Sequence, residues 1–195
     1  MNNKRNSDRS ISQVKVLAFM SILIALDVIL VRFVSFEIPS MRIGAGFIAV
    51  IIAGMYLGPL RAGIVGLVAD ILGMLIFPKG AFFPGFTLSG SLNYVIAGWF
   101  LEGKKSAKTF NVITYAIFST LIIDTFLNTI WLVMMLHQND MSRFIPVLAP
   151  RVPFQIVMTI LKVILIPILY RTLFSRLKAT DVERPGIRET VANDR

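Results

Sequence analysis

Three polar side chains share one helix face inside an otherwise apolar stretch in the second half of the sequence. Asn128 follows Asp124 by one helical turn and Trp131 follows Asn128 by three residues, so a carboxylate, an amide and an indole lie together. Such groups hold a ligand by hydrogen bonds and ring contacts, and a face turned only to lipid would not carry them. The spacing therefore predicts a polar binding surface.

A further acid, Asp70, lies within another apolar stretch. An unpaired carboxylate there would be costly or would take up a proton, so it needs donors. These belong either to a helix backbone or neighbouring hydroxyl, or to a ligand that carries an amino-heterocycle. Lys162 and Asp124 each lie roughly 12 residues from the end of their predicted helices, and this common depth predicts a structural ion pair.

The sequence lacks the residues that covalent catalysis and metal binding usually need. There is no cysteine, and the single histidine, His137, has no partner for a metal site or a catalytic triad. No P-loop motif is present either, which excludes ATP hydrolysis by that route. We therefore expect a protein that is not an enzyme and that uses no metal or cofactor.

An aromatic segment interrupts the apolar block that runs from residue 43 to residue 101. Its sequence, Phe77-Pro-Lys-Gly-Ala-Phe-Phe-Pro-Gly-Phe-Thr-Leu88, contains two prolines, two glycines and four phenylalanines. Proline and glycine favour a turn, while the phenylalanines keep the turn apolar. The segment is suited to closing over a flat ligand, although an interfacial hairpin with an aromatic belt would have the same composition.

The elements that position these groups are predicted to be membrane-spanning helices. The 195 residues are 55% hydrophobic and 16% charged, with a mean hydropathy of +0.73, which indicates a polytopic membrane protein. The predicted fold class is an all-α integral membrane bundle of six transmembrane helices. Its spans are residues 14–33, 43–57, 62–77, 85–101, 112–136 and 149–173. Residues 1–12 and 178–195 are predicted tails around a membrane domain of residues 13–177.

The net charge of +9 is explained by membrane topology better than by nucleic acid, because the basic residues concentrate in loops and tails beside the apolar spans. Six spans place both termini on one side, and the lysines and arginines are more numerous on that side. We therefore predict a plasma-membrane protein with cytoplasmic termini and no nucleic-acid partner.

The polar residues of the predicted spans are concentrated in the middle and outer parts of the membrane. Those at middle and outer depth are Asp70, Asn93, Asn128, Trp131 and Gln155, and basic residues rim the outer face at Arg32, Arg42, Lys79 and Arg151. This arrangement predicts a pocket open to the outside for a flat hydrogen-bonding ring with an anionic tail near the arginines. Phospholipid head groups are the alternative partners of the rim arginines.

Four stretches of the sequence resemble the substrate-binding S components of energy-coupling factor (ECF) vitamin transporters, most closely the folate-specific kind. They are residues 41–59, which end in Leu-Gly-Pro; Gly63-x-x-Gly-x-x-x-Asp70; the aromatic segment of residues 77–88; and Leu127-Asn-Thr-Ile-Trp-Leu132. The first two motifs are typical of S components for several vitamins, and the last two are more particular to folate. The resemblance covers nearly all of the chain except the tails.

The resemblance implies a six-helix bundle that captures folate from outside and docks onto a transmembrane coupling subunit with two ATPase subunits. Docking in this family uses an Ala-x-x-x-Ala pattern on the first helix, and the matching positions here are Ser21 and Ala25, with Ala18 one turn earlier. Small residues at this spacing also serve ordinary helix packing.

The resemblance also implies roles for individual residues. One pocket wall would comprise Phe83, Pro84, Gly85, Phe86 and Thr87, and the other Asn128 and Trp131. Arg151 would bind the glutamate tail and Asp70 would accept from the pterin amino group. Residues 34–42, which include Glu37, would form the gate.

Two other kinds of protein stay open on the sequence. One is an S component for thiamine, riboflavin or a queuosine precursor, and the other is a structural six-span protein of the cell-shape machinery, which would need no polar pocket. A membrane enzyme is the weakest alternative, because no nucleophile lies beside a base.

Overall fold

The computed structural model describes residues 2–38, 41–78, 81–102, 109–136 and 140–178, and side chains within 13–35, 44–78, 81–102, 110–136 and 140–168. The helices are α1 (Asn2–Arg32), α2 (Phe47–Ile76), α3 (Pro84–Leu101), α4 (Thr109–Phe118), α5 (Asn128–Leu136), α6 (Phe144–Leu148) and α7 (Arg151–Lys178). A π-helical stretch, Ser119–Leu127, joins α4 to α5, and a 3₁₀ turn, Met141–Arg143, precedes α6.

The described chain is a helical membrane bundle, as the sequence predicted. Its helices that are long and apolar enough to cross a membrane cover Gln13–Arg32, Phe47–Ile76, Phe110–Leu136 and Arg151–Ile168. The second of these contains two of the predicted spans, and α3 supplies the remaining one. Because α3 carries Thr87, Ser89, Ser91 and Asn93, it is more polar than the others.

Helix α2 folds back at the predicted Leu-Gly-Pro turn. Gly58 has φ 73° and ψ 177°, a backbone conformation that side chains with a Cβ rarely adopt, and Pro59 has no N–H to continue the hydrogen-bond ladder. The turn lies against α3, where a Cβ at Gly98 would be 2.4 Å from Pro59 Cα. The two halves of α2 therefore both border the same interior space, with Phe47 and Asp70 on its wall.

Close contacts between α2 and α3 depend on small residues. A Cβ at Gly54 would lie 2.7 Å from the Ala97 carbonyl carbon, and one at Gly66 would lie 2.4 Å from the Tyr94 ring. Ala97 is fully buried, and the same core includes Ile51 of α2 and Tyr115 of α4. Glycine at these positions lets the helices approach at backbone distance, which adds packing contacts that lipid cannot supply.

Three segments differ from the sequence prediction in detail. Helix α1 begins at Asn2, so the predicted N-terminal tail continues the first helix. The predicted outer loop of residues 34–42 contains an antiparallel hairpin of β1 (Phe36–Ile38) and β2 (Met41–Ile43), in which paired strands satisfy backbone groups that a loop would leave to water. The segment between the predicted spans 112–136 and 149–173 contains α6. Residues 179–195 of the predicted C-terminal tail lie outside the described residues.

Candidate functional site

A cavity of about 820 Å³ lies between α1, α2, α3, the π-helical stretch, α5 and α7. The predicted site residues on its wall are Arg32, Asp70, Phe83, Phe86, Asn93, Asn128, Arg151 and Gln155. The volume falls within the range of about 300–1,000 Å³ that is usual for small-molecule pockets. The structure thus brings eight side chains from five helices to one cavity.

The first charged cluster of the cavity centres on Asp70. Thr87 Oγ1 donates to Asp70 Oδ2 over 2.6 Å, and Arg32 Nη2 lies 3.8 Å from Asp70 Oδ1. Gly73 makes room for Arg32, because a Cβ there would lie 2.8 Å from Arg32 Nε. One oxygen of Asp70 therefore accepts a hydrogen bond and the other lies at ion-pair distance from a guanidinium, while 24% of the side chain stays exposed. Arg32, predicted as a rim residue, lies buried in the cavity wall beside this acid.

The second charged cluster centres on Asp124, in the π-helical stretch. Its backbone carbonyl accepts from Arg151 Nη2 at 3.0 Å and from Gln155 Nε2 at 3.3 Å. Its carboxylate Oδ2 lies 2.5 Å from Lys162 Nζ, which also donates to Thr120 Oγ1 over 3.4 Å. The predicted pairing of Lys162 with Asp124 is confirmed. π-Helical turns occur often at functional sites, and this one carries the acid that three α7 side chains contact.

Arg151 is a buried cation that forms no ion pair with a carboxylate in the described part of the chain. Its residue is 6% exposed, and no carboxylate oxygen of the described residues lies within 4.0 Å of its guanidinium nitrogens. Among those residues, Arg151 Nε has no hydrogen-bond partner. A buried charge in this state is costly unless an anion enters the cavity.

Aromatic side chains form a third part of the wall. Phe83 lies with its ring centroid 5.9 Å from that of Phe86 and 6.0 Å from that of Trp131. Phe83 and Phe86 line the cavity, whereas Trp131 supports them, and its indole N–H donates to Ser89 Oγ over 2.9 Å. Gly85 allows this packing, since a Cβ there would lie 2.5 Å from Trp131 Cδ2.

Two amides on the wall differ in their hydrogen bonding. Asn93 Oδ1 accepts from the buried Tyr115 hydroxyl at 2.9 Å, so the protein itself uses that oxygen. Asn128 Oδ1 is also buried, but no partner for it occurs within the described ranges. A ligand donor at Asn128 would satisfy this oxygen.

The remaining predicted residues lie away from the cavity wall or outside the description. Pro84, Gly85, Thr87 and Trp131 stand behind the lining residues in the same elements. Glu37 and Arg42 are opposite each other in the register of the hairpin. Ala18, Ser21 and Ala25 are exposed on α1. Lys79 and His137 are outside the described residues.

Sequence reasoning did not assign Asp27, Ser89 or Tyr94 to the site, although all three line the cavity. Asp27 is a buried acid on α1, one and a half helical turns before Arg32. The signal for it was an ionisable residue inside an apolar span, which is a functional-site hypothesis by default.

The sequence is similar to a known protein family and to named folate transporters. The family described as "ECF transporter, substrate-specific component" matches residues 15–170. A "Folate transporter FolT" of Clostridium novyi (strain NT) is 47% identical over 120 residues, which cover 62% of this chain and 69% of that protein. A protein of the same name from Leuconostoc mesenteroides subsp. mesenteroides is 29% identical over 142 residues, 71% of this chain and 75% of the relative.

A solved structure is similar over most of the chain. It is described as "Crystal structure of FolT bound with folic acid", and it superimposes with a TM-score of 0.74 at 33% sequence identity. The match covers 83% of this chain and 97% of that structure's chain.

Proposed function

Because this chain belongs to the family of ECF transporter substrate-specific components, we propose that its cavity binds folate outside the cell for uptake across the membrane. The observation that carries the proposal is Arg151, a buried guanidinium on the cavity wall with no carboxylate oxygen of the described residues within 4.0 Å of it. Folate supplies the missing anion through its glutamate carboxylates. A charge-assisted pair in a water-poor cavity is among the stronger polar contacts available to a protein.

The ring end of folate suits other groups of the cavity wall. A pterin is flat and presents amino and ring N–H donors along one edge. Phe83 and Phe86 offer ring faces, and Asn128 Oδ1 offers an acceptor without a partner in the described chain. Asp70 stays partly exposed to the cavity and completes the set of acceptors. Aromatic packing would supply most of the apolar contact, and the acceptors would fix the orientation of the ring.

Access and coupling remain proposals from the family. The hairpin region of residues 34–42, with Glu37 and Arg42, together with Lys79, would gate the cavity. Ala18, Ser21 and Ala25 would form the docking face for a transmembrane coupling subunit, which works with two ATPase subunits. They are exposed on α1, and small residues permit close helix approach in lipid. The chain would lie in the plasma membrane with both termini cytoplasmic, residues 13–177 forming the binding domain, and would catalyse no reaction.

A ligand titration tests the proposal. The purified full-length chain in detergent is titrated with folate, thiamine and riboflavin, and binding is followed by calorimetry and tryptophan fluorescence. We expect saturable one-to-one binding of folate and none of the others at the same concentrations. Binding of thiamine or riboflavin but not folate would make the chain an S component for another vitamin. Binding of no ligand would favour a structural role, which the cavity and its unmatched polar groups argue against.

A further inference from the structure

We propose that Lys162 is a positioning residue for ligand binding, because its pairing with the Asp124 carboxylate keeps that acid from neutralising Arg151. This inference rests on the folate-binding function proposed above. It concerns what holds Arg151 ready, not which residue touches the ligand.

The three charged groups stand close together on one wall of the cavity. Arg151 Nη2 lies 3.0 Å from the backbone carbonyl of Asp124, while the carboxylate of the same residue lies 2.5 Å from Lys162 Nζ. Asp124 and Lys162 line the cavity with 23% and 13% of their side chains exposed. The pair is therefore part of the binding wall and not a contact sealed inside a helix seam.

Charge counting shows what the pair does. One acid, Asp124, faces two cations, Lys162 and Arg151, so this wall carries one positive charge in excess. Because Lys162 occupies the carboxylate, the excess charge resides on Arg151. An incoming carboxylate meets a cation that is already buried and held in place by its own hydrogen bond to the Asp124 carbonyl.

Removal of Lys162 would leave the Asp124 carboxylate buried without a cation. The nearest guanidinium is that of Arg151, which already donates to the same residue and has an unpartnered Nε among the described groups. Buried charges pair wherever geometry permits, since an isolated one is costly. Arg151 would then turn to Asp124, and the wall would present no net charge to a ligand anion.

The test compares folate with its dimethyl ester, which keeps the pterin ring and the glutamate skeleton but carries no carboxylate. Dissociation constants of both are measured on the full-length protein for the wild type, Lys162→Met, Asp124→Asn and the double variant. We expect Lys162→Met to weaken folate by about tenfold to a hundredfold and the ester by less than about threefold. The double variant restores one excess positive charge, so its ester-to-folate ratio should return to within about threefold of the wild type.

The single variants separate this proposal from a purely structural role. If the ion pair only stabilises the fold, Lys162→Met and Asp124→Asn break the same contact and should weaken both ligands alike. On the proposal they diverge, and Asp124→Asn keeps a ratio at least as high as that of the wild type. Equal loss of folate and ester in Lys162→Met, or a lowered ratio in Asp124→Asn, would overturn the inference.

Two further outcomes are decisive. Should Lys162→Met not fold, Lys162→Gln, which also removes the cation, carries the test with the same expected fall in the ester-to-folate ratio, and Lys162→Arg, which keeps the cation, should keep the wild-type ratio. An unchanged ratio in Lys162→Gln would overturn the inference. A wild type that binds no folate removes the proposed function and this inference together. A wild type that binds folate, with an unchanged ratio in Lys162→Met, removes only the inference.

Discussion

A buried guanidinium that is not paired with a carboxylate destabilises a fold, so the position of Arg151 calls for a compensating anion. In the described chain its contacts are to a backbone carbonyl, and its Nε has no partner. Arg143, by contrast, is 61% exposed and lies 3.7 Å from Asp140. The two residues carry the same charge but differ in burial. Substitution of Arg151 therefore tests the proposal, and substitution of Arg143 is the control.

Replacing Arg151 with alanine should weaken folate by about tenfold to a hundredfold, the usual loss for a buried charge-assisted bond. A pterin that lacks the glutamate should lose less than about threefold, because its ring makes no use of this charge. Equilibrium binding of both ligands measures the difference. Arg143→Ala should leave both affinities unchanged, and equal weakening of the two ligands by Arg151→Ala would remove the assignment of its charge to the tail.

Asn128 offers a second test, in which stability and binding move in opposite directions. Its Oδ1 is buried without a partner in the described part of the chain, so Asn128→Leu should raise the unliganded protein's stability, by about 1 kcal/mol, while weakening folate about tenfold. Thermal unfolding in detergent and folate titration measure the two effects.

The matched control for Asn128 is Asn93, whose Oδ1 already accepts from Tyr115. Asn93→Leu leaves the buried Tyr115 hydroxyl without that acceptor and should destabilise the unliganded protein by about 1–3 kcal/mol. Stability changes of the same sign in both variants would contradict the distinction between an amide oxygen without a partner, at Asn128, and one that accepts a hydrogen bond, at Asn93.

Among the elements, α3 carries the aromatic wall and depends on one close approach. A Cβ at Gly85 would lie 2.5 Å from the Trp131 ring and 2.7 Å from that of Phe83, so both rings would have to move. Overpacking of this kind costs about 1–3 kcal/mol. Gly90, on the same helix, borders the cavity, and no heavy atom of the other described elements lies within 4 Å of its Cβ position.

We therefore expect Gly85→Ala to lower the unfolding temperature and to weaken folate, because the displaced rings narrow the aromatic wall. Gly90→Ala should instead stabilise α3 by about 0.5–1 kcal/mol, since alanine restricts the unfolded chain without strain. Thermal unfolding of the two unliganded variants measures the changes in stability, and a folate titration of Gly85→Ala measures the loss of affinity. A Gly85→Ala protein as stable as the wild type would show that the wall is loosely packed.

The same elements show how far the sequence could be interpreted. The turn at Gly58 and Pro59, the close packing of the glycine-rich α2 against a neighbouring helix, and the common depth of Asp124 and Lys162 follow from residue type and spacing alone, and the structure confirms them. That the neighbour is α3 does not follow from the sequence. The direction of a side chain within its helix pair does not follow. Trp131 lies behind the cavity wall and donates to Ser89, whereas Asp27 lies on the wall. The direction of each side chain depends on how the neighbouring helices are rotated about their axes.

At the scale of the whole molecule, an S component must keep two surfaces independent, one that binds the vitamin and one that meets its partners. The cavity lies inside the bundle, whereas Ala25 and Ser21 are exposed on the outer face of α1. Ser21 in place of an alanine keeps this face small, and its hydroxyl donates to the Leu17 carbonyl over 3.0 Å, which hides its polarity from lipid.

This separation predicts that a bulky residue on α1 uncouples transport from binding. Ala25→Trp should leave the folate affinity of the isolated chain within about twofold of the wild type, because the substitution lies outside the cavity wall. It should reduce copurification with the coupling subunit and folate uptake in cells by about tenfold or more, since a side chain of that size holds two helices apart. The matched control is Ile160→Trp, which introduces the same large side chain on the exposed face of α7 and should leave assembly and uptake unchanged. If both variants impair uptake equally, the exposure of a large side chain to lipid, and not the loss of docking, explains the effect. If Ala25→Trp transports normally, the small face of α1 serves only packing against lipid, and the docking surface lies on another element.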